Sequence, residues 1–234
     1  MNACGLQLFA QIFRATKRPG GIMKKNSRLI LALDVESRDK ANSIASETEG
    51  IFDAIKVGYP LMLSEGLSVI KELSNIAPVI ADLKIADIPN TNHLICNRLF
   101  SAGAQGVIAH AFTGRDSLEA CVDVAKRWSG DVYAVTEMSH PGALEFMAPV
   151  AERMVMLALV AGASGIVAPA TRPERIRALR RAAGGLTIIS PGVGAQGGSL
   201  RDALEAGADY AIVGRSVYES ANPRAAAEAL LDLI

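Results

Sequence analysis

From Arg28 onward, short runs of aliphatic and β-branched residues alternate with segments in which apolar residues recur at helical spacing. Each apolar run leads into a polar turn and then into a segment such as "SRDKANSIASETE" or "SLEACVDVAKRW". This alternation is typical of successive βα units. The pattern predicts eight strands, at residues 28–34, 54–58, 79–84, 106–111, 132–138, 165–169, 187–192 and 210–215.

The nearly continuous apolar character of these runs indicates parallel strands that are covered by helices on their outer face. Eight βα units in about 210 residues predict a single-domain α/β protein with the (β/α)8 TIM-barrel fold. A doubly wound open sheet is the alternative. An "AGA" precedes the fourth and the eighth strand, and there we expect glycine to end a helix close to the strand. In "TRPER" we expect Thr171 to cap the helix that Pro173 begins.

The first 26 residues differ from the rest, because they contain no acidic residue and break at Pro19-Gly20-Gly21. We expect residues 1–26 to be a poorly ordered extension, or Met23 to be the true start, and residues 27–234 to be the barrel domain. A targeting peptide is the alternative, since basic residues without acidic ones are one such signature.

Composition excludes several classes of protein. The chain has 234 residues, with 24 basic and 24 acidic side chains, so it has neither the basic surplus of a nucleic-acid-binding protein nor that of a membrane-surface protein. No apolar run approaches the roughly 20 residues that span a bilayer. The three cysteines have no paired or metal-ligand spacing, which fits a reducing, cytoplasmic compartment.

Polar or special residues stand at the carboxyl ends of most predicted strands, where TIM barrels carry their active sites. One such residue could be a rim ion pair or a helix cap, but their convergence indicates an active site. These residues are Asp34, Lys56, Asp82, Lys84, His110, Glu137, Ser139, Pro191, Gly214 and Arg215.

The segment "ADLKIADIPNT" (81–91) carries the densest charge. Asp82 and Lys84 lie two apart, so they share one face of a strand, and Lys56 should point into the same mouth. Asp87 lies past the strand, in a loop that either bends back or crosses to a partner subunit. An ammonium between carboxylates stays protonated, so Lys84 could donate a proton to a developing carbanion or bind an anion. A buried structural ion-pair network is the alternative.

Three further segments predict a phosphate site and a loop over the mouth. Glycine-rich "SPGVGAQGG" (190–198) and "VGRS" (213–216) follow the seventh and eighth strands, where barrels often bind phosphate. Gln196 and Arg215 would donate hydrogen bonds to the phosphate. In "TEMSHPG", Ser139 is the candidate for binding a polar ligand, and His140 is expected to be a surface or packing group.

These segments together resemble a known family. "LALD", "IKVGYPL", "DLKIADIPNT", "TEMSHPG", "PGVGAQGG" and "VGRSVY" occur in the order found in orotidine 5′-phosphate decarboxylases, and the chain resembles their short microbial form from about Arg28 to the C-terminus. Asp-x-Lys-x-x-Asp alone also marks 3-keto-L-gulonate 6-phosphate decarboxylases and hexulose-phosphate synthases. "MSHPG" and "GVGAQGG" favour the nucleotide enzyme.

The resemblance implies a homodimer that decarboxylates orotidine 5′-monophosphate to UMP and CO2, with Lys84 protonating C6 and with no metal or organic cofactor. Asp87 and Thr91 are implied to act in the neighbouring subunit's site. The competing hypotheses are a metal-dependent sugar-phosphate lyase and a non-catalytic nucleotide-binding barrel. The implied catalytic residues are Lys56, Asp82, Lys84 and Asp87, and the implied substrate-binding residues are Asp34, Lys56, Thr91, Ser139, Pro191, Gln196, Gly214 and Arg215.

Overall fold

The computed structural model describes residues 21–234, and the greater part of the predicted N-terminal extension, residues 1–20, lies outside them. All eight predicted strands are confirmed. The second has the predicted bounds, the third extends one residue further, and the other six are one or two residues shorter than predicted. The strands are β1 (Leu29–Leu33), β2 (Ala54–Gly58), β3 (Val79–Ile85), β4 (Gly106–His110), β5 (Asp131–Val135), β6 (Gly165–Val167), β7 (Thr187–Pro191) and β8 (Tyr210–Val213).

The sheet is closed. Every strand pairs in parallel with its neighbour in sequence, and β1 also pairs with β8, so that Leu29 lies opposite Ala211. Closure confirms the TIM barrel and rules out the doubly wound sheet. Alternate strand residues point to opposite faces, and two apolar layers result. Ile30, Ile80 and Ile108 belong to the inner layer, while Leu31 and Val107 belong to the larger layer beneath the helices.

Helices cover the outer face of the barrel and connect the strands. A single 3₁₀ turn (Ala148–Val150) lies within the β5–β6 connection. The helices are α1 (Arg38–Glu47), α2 (Tyr59–Glu65), α3 (Ser68–Leu73), α4 (Pro89–Ser101), α5 (Arg115–Arg127), α6 (Ala143–Phe146), α7 (Ala151–Ala161), α8 (Pro173–Ala183), α9 (Leu200–Glu205), α10 (Arg215–Tyr218) and α11 (Pro223–Leu231).

The predicted helix ends are right in two places and wrong in one. Gly103 and Gly207 follow the last residues of α4 and α9 with φ of 107° and 112°, a conformation that glycine adopts without steric cost. Thr171, however, does not cap α8. The cap position belongs to Arg172, because the Thr171 hydroxyl instead donates to the carbonyl of Ser139 at 3.1 Å.

The described residues that precede β1 close the bottom of the barrel. The amide of Ile22 donates to Asp131 Oδ2 at 2.9 Å, and the amide of Arg28 donates to Asp53 Oδ2 at 2.8 Å. Met23 packs into the inner apolar layer. The packed unit therefore includes residues 22–26, ahead of the boundary predicted at residue 27. No helix among residues 21–234 is long and apolar enough to cross a membrane.

Candidate active site

A cavity of about 430 Å³ opens at the mouth formed by the carboxyl ends of the strands. Every catalytic or substrate-binding residue that the family resemblance implied lines it, except Asp87 and Thr91. The lining members of the predicted set are Asp34, Lys56, Asp82, Lys84, Ser139, Pro191, Gln196, Gly214 and Arg215.

Four charged side chains form a row of alternating sign in this cavity, which we call the charged array: Asp34, Lys56, Asp82 and Lys84. Lys56 Nζ lies 3.2 Å from Asp34 Oδ1 and 3.1 Å from Asp82 Oδ2. Lys84 Nζ lies 3.0 Å from Asp82 Oδ1. The sequence prediction that Lys56, Asp82 and Lys84 share one mouth is confirmed.

Mutual attraction keeps the buried centre of this array ionised. Burial by itself would lower the pKa of Lys56, but the carboxylates of Asp82 and Asp34 outweigh it and raise that pKa. Burial by itself would raise the pKa of Asp82, but the ammonium groups of Lys56 and Lys84 outweigh it and lower that pKa. Lys56 and Asp82 are therefore both charged at neutral pH.

Lys84 reaches the cavity from an irregular stretch of β3. The pairing with β4 shifts register, since Ala81 lies opposite Val107 whereas Ile85 lies opposite Ala109. Lys84 has φ of 44°, a left-handed conformation that costs a non-glycine residue about 1–2 kcal/mol. Such strain is concentrated at functional sites, and here it directs the ammonium group at Asp82.

The glycine-rich loop between β7 and α9 meets the β5 loop at the opposite side of the cavity. Ser139 Oγ donates to Gln196 Oε1 at 2.7 Å. Gly192 has φ of 103°, and a Cβ there would lie 3.1 Å from that of Ser139, so glycine is required both for conformation and for space. Arg215 follows Gly214 at the start of α10 and makes no ion pair within residues 21–234. The loop amides, the Gln196 amide and the Arg215 guanidinium together offer donors to an anion.

Apolar side chains complete the cavity wall, and the sequence analysis did not predict them as site residues. Ile108 and Val167 point into the barrel mouth from β4 and β6, and Ile212 does so from β8. The available signal was alternation, because Ile212 lies two residues before Gly214, a predicted site residue just past the end of the same strand. An apolar wall excludes water and strengthens the electrostatic interactions of the charged array.

Asp87 and Thr91 do not reach the cavity. Asp87 is exposed in the loop after β3, and Thr91 lies in the first turn of α4. Beside them, Ile88 and Leu94 are 65% and 57% exposed. Within this chain, Asp87 therefore does not bend back into the cavity.

Glu137 lies two residues past the end of β5, and it is not a cavity residue. It is fully buried and pairs with Arg172 at 3.2 Å and Arg175 at 2.8 Å. Arg172 also donates to the carbonyls of Met138 and Ser139. Glu137 therefore holds the arginine that supports the β5 loop, behind the cavity.

We expect Glu137→Leu to lower the free energy of unfolding by about 3 kcal/mol, because it leaves two partly buried guanidinium groups without their carboxylate. Urea unfolding at fixed protein concentration measures this. The control is Glu119→Leu, which breaks the exposed Arg115–Glu119 pair and should cost no more than about 0.5 kcal/mol. Equal losses in the two variants would contradict the structural role of Glu137.

The two histidines near the mouth differ in position. His110 does not line the cavity. Its ring packs on Phe112 with centroids 4.6 Å apart, and burial, assisted by the charge of Lys84, lowers its pKa to about 4. It is therefore neutral at pH 7. His140 lies on the rim of the cavity, so the expectation that it only packs or faces solvent is incomplete.

A closed, parallel eight-stranded barrel, with a lysine–aspartate array and a glycine-rich loop at the carboxyl ends of its strands, is the arrangement of phosphate-binding TIM-barrel enzymes. The sequence profile of the "Orotidine 5'-phosphate decarboxylase / HUMPS family" matches residues 27–230. The chain belongs to this family.

Two relatives and one solved structure illustrate how similar this chain is to individual proteins. The chain is 61% identical over 211 residues to the orotidine 5′-phosphate decarboxylase of Methanococcoides burtonii, covering 90% of this chain and 98% of the relative. It is 52% identical to that of Thermococcus kodakarensis over 90% of this chain and 98% of the relative. The crystal structure of the Methanocaldococcus jannaschii enzyme, complexed with the inhibitor BMP, has a TM-score of 0.84 and 46% identity, and the match covers 88% of this chain and 97% of that one.

Proposed function

We propose that this protein is a carboxy-lyase that converts orotidine 5′-monophosphate to UMP and CO2, the last step of de novo pyrimidine nucleotide synthesis. One observation carries the proposal: the charged array and the glycine-rich loop between β7 and α9, which offers hydrogen-bond donors to an anion, share one cavity. The family and the names of its similar relatives supply the substrate.

The phosphate of the substrate is bound far from the reacting carbon. Arg215, Gly214 and Gln196 hold it, and Ser139 binds the pyrimidine edge while remaining bonded to Gln196. Pro191 lines the cavity beside them, and Asp34 and Lys56 contact the ribose. Because the phosphate does not react, its binding energy can serve orientation and loop closure over the reacting bond.

The reaction breaks the bond between C6 and the carboxylate and leaves its electron pair on C6. Lys84 is the protonated group that opposes this charge, and it donates its proton to C6. Asp82 is ionised next to the position of the substrate carboxylate, so repulsion between the two carboxylates raises the energy of the bound substrate and is relieved when CO2 leaves. Lys56 keeps Asp82 in place through their contact of 3.1 Å.

The test is a spectroscopic assay with purified protein at micromolar concentration. We expect the pyrimidine absorbance to change on addition of orotidine 5′-monophosphate, with UMP as the product. The absence of any change would contradict the proposal.

We expect that chelator does not affect this activity, since the proposed steps use only side chains of the chain. Among residues 21–234, no three histidine, cysteine or acidic side chains are grouped so as to hold a metal ion. Treatment with EDTA, followed by dialysis and the same assay, checks the expectation. Loss of activity that Mg²⁺ restores would favour the metal-dependent sugar-phosphate lyase.

The active unit is proposed to be a homodimer in which Asp87 and Thr91 contact the ribose in the neighbouring subunit's site. Their distance from the cavity of their own chain and the exposed apolar side chains of Ile88 and Leu94 support this arrangement. The proposed compartment is the cytoplasm, supported by Cys96 and Cys121, which are free thiols.

A further inference from the structure

Asp87 lies in an exposed loop, yet its backbone is anchored by two buried polar side chains. Asn92, in the first turn of α4, is 1% exposed, and its Oδ1 accepts the amide proton of Asp87 at 3.0 Å. Ser117, in α5, is 2% exposed, and its hydroxyl donates to the Asp87 carbonyl at 2.8 Å. Both hydrogen-bonding groups of the Asp87 backbone are therefore fixed from the interior of the protein.

The two anchors are also bonded to each other. Asn92 Nδ2 donates to Ser117 Oγ at 2.7 Å and to the Ser117 carbonyl at 3.2 Å. The orientation of the Asn92 amide follows from its partners, since only the oxygen can accept from the Asp87 amide and only the nitrogen can donate to a carbonyl. Asn92, Ser117 and the Asp87 backbone form a closed ring of hydrogen bonds, which we call the Asp87 clamp.

Joining two helices through such a ring carries a free-energy cost. Burying an amide and a hydroxyl costs free energy unless every group is bonded, and an apolar pair would join α4 to α5 without that requirement. What the polar pair adds is a defined position for the exposed loop. The carboxylate of Asp87 is directed as well, because its Oδ1 accepts from the amide of Ile88 at 2.7 Å.

We propose that Asn92 and Ser117 are positioning residues for the reaction. They hold Asp87 in the geometry in which its carboxylate enters the neighbouring subunit's site. This inference rests on the proposed function and on the proposed role of Asp87 in the partner's site. In this proposal, the contact between α4 and α5 pre-organises Asp87, which lies in the loop after β3 and outside the barrel strands.

The test is a double-mutant cycle. Asn92→Ala and Ser117→Ala should each lower kcat/KM by about 10- to 100-fold, as expected for a catalytic group displaced by about 1 Å. In the background of Asp87→Ala, neither substitution should lower kcat/KM further, because the side chain that the clamp positions is already absent. Circular dichroism shows whether each variant is folded, and the mass of the oligomer in solution shows whether it is assembled.

Asn97→Ala is the matched control. Asn97 is also an asparagine of α4 with side-chain bonds, to His93 and Trp128, but it does not contact the Asp87 loop. Its effect should be small and should add to that of Asp87→Ala. Additive losses for Asn92→Ala and Ser117→Ala would overturn the clamp. If Asn92→Ala does not fold, Ser117→Ala decides alone, since it removes only one hydroxyl from a helix. A wild-type protein without turnover in the same assay would instead contradict the proposed function.

Discussion

Replacing Lys84 by alanine is expected to lower kcat for orotidine 5′-monophosphate by about 10⁴-fold, while the affinity for UMP changes little. Two lysines line the cavity, but they are not equivalent. Lys56 lies between two carboxylates with its side chain 9% exposed, whereas Lys84 contacts Asp82 and is 34% exposed toward the cavity. Lys84 is therefore the ammonium that can lose a proton to the substrate without leaving a buried carboxylate unpaired.

Single-turnover assays measure the rate of the chemical step, and a UMP titration measures the affinity for the product separately. Lys126→Ala is the control, because Lys126 pairs with Asp123 on the outside of α5 and should leave both unchanged. A Lys84→Ala enzyme with near-normal turnover would show that another group supplies the proton. A wild-type protein that binds UMP with no turnover would instead favour a non-catalytic nucleotide-binding barrel.

The fold and the centre of the site could be predicted because both depend on local periodicity. A strand period of two was enough to place Asp82 and Lys84 on one face, and the order of βα units was enough to bring Lys56 to the same mouth. The left-handed backbone of Lys84 and the register shift beside it were not predictable, because "DLKIA" contains no glycine or other local signal for them.

The errors concern residues whose partners are distant in the sequence. A glutamate at the end of a strand has the same sequence context whether it faces a cavity or a pair of arginines. The partners of Glu137 lie 35 and 38 residues away. Thr171 was expected to cap a helix by its spacing from Pro173, but the Thr171 hydroxyl instead donates a hydrogen bond to the carbonyl of Ser139, which the barrel brings close. Asn92 carried no signal, since its partner Ser117 is 25 residues away.

Mixing two strongly impaired variants should restore activity, and the size of the recovery tests whether Asp87 acts in the partner's site. A hybrid dimer of one Lys84→Ala subunit and one Asp87→Ala subunit contains one site with both lesions. The other site has Lys84 from its own chain and Asp87 from the partner, so it is intact. Random exchange of a 1:1 mixture makes half of the dimers hybrid, and about a quarter of the wild-type activity should return.

The alternative gives a different result because of symmetry. If Asp87 served the site of its own chain, each site of a hybrid would still carry one lesion, and mixing would restore nothing. Subunit exchange must be verified independently, with a mass-tagged wild-type chain incubated with untagged protein under the same conditions. A mixture of Lys84→Ala with Asp82→Ala is the negative control. Both residues line the cavity of their own chain, so each site of a hybrid dimer lacks one of the two. Recovery in that control would contradict the assignment of Asp82 and Lys84 to one site. If only the mixture with Asp87→Ala recovers activity, the two carboxylates of "DLKIAD" serve different subunits: Asp82 acts in its own site and Asp87 in that of the partner.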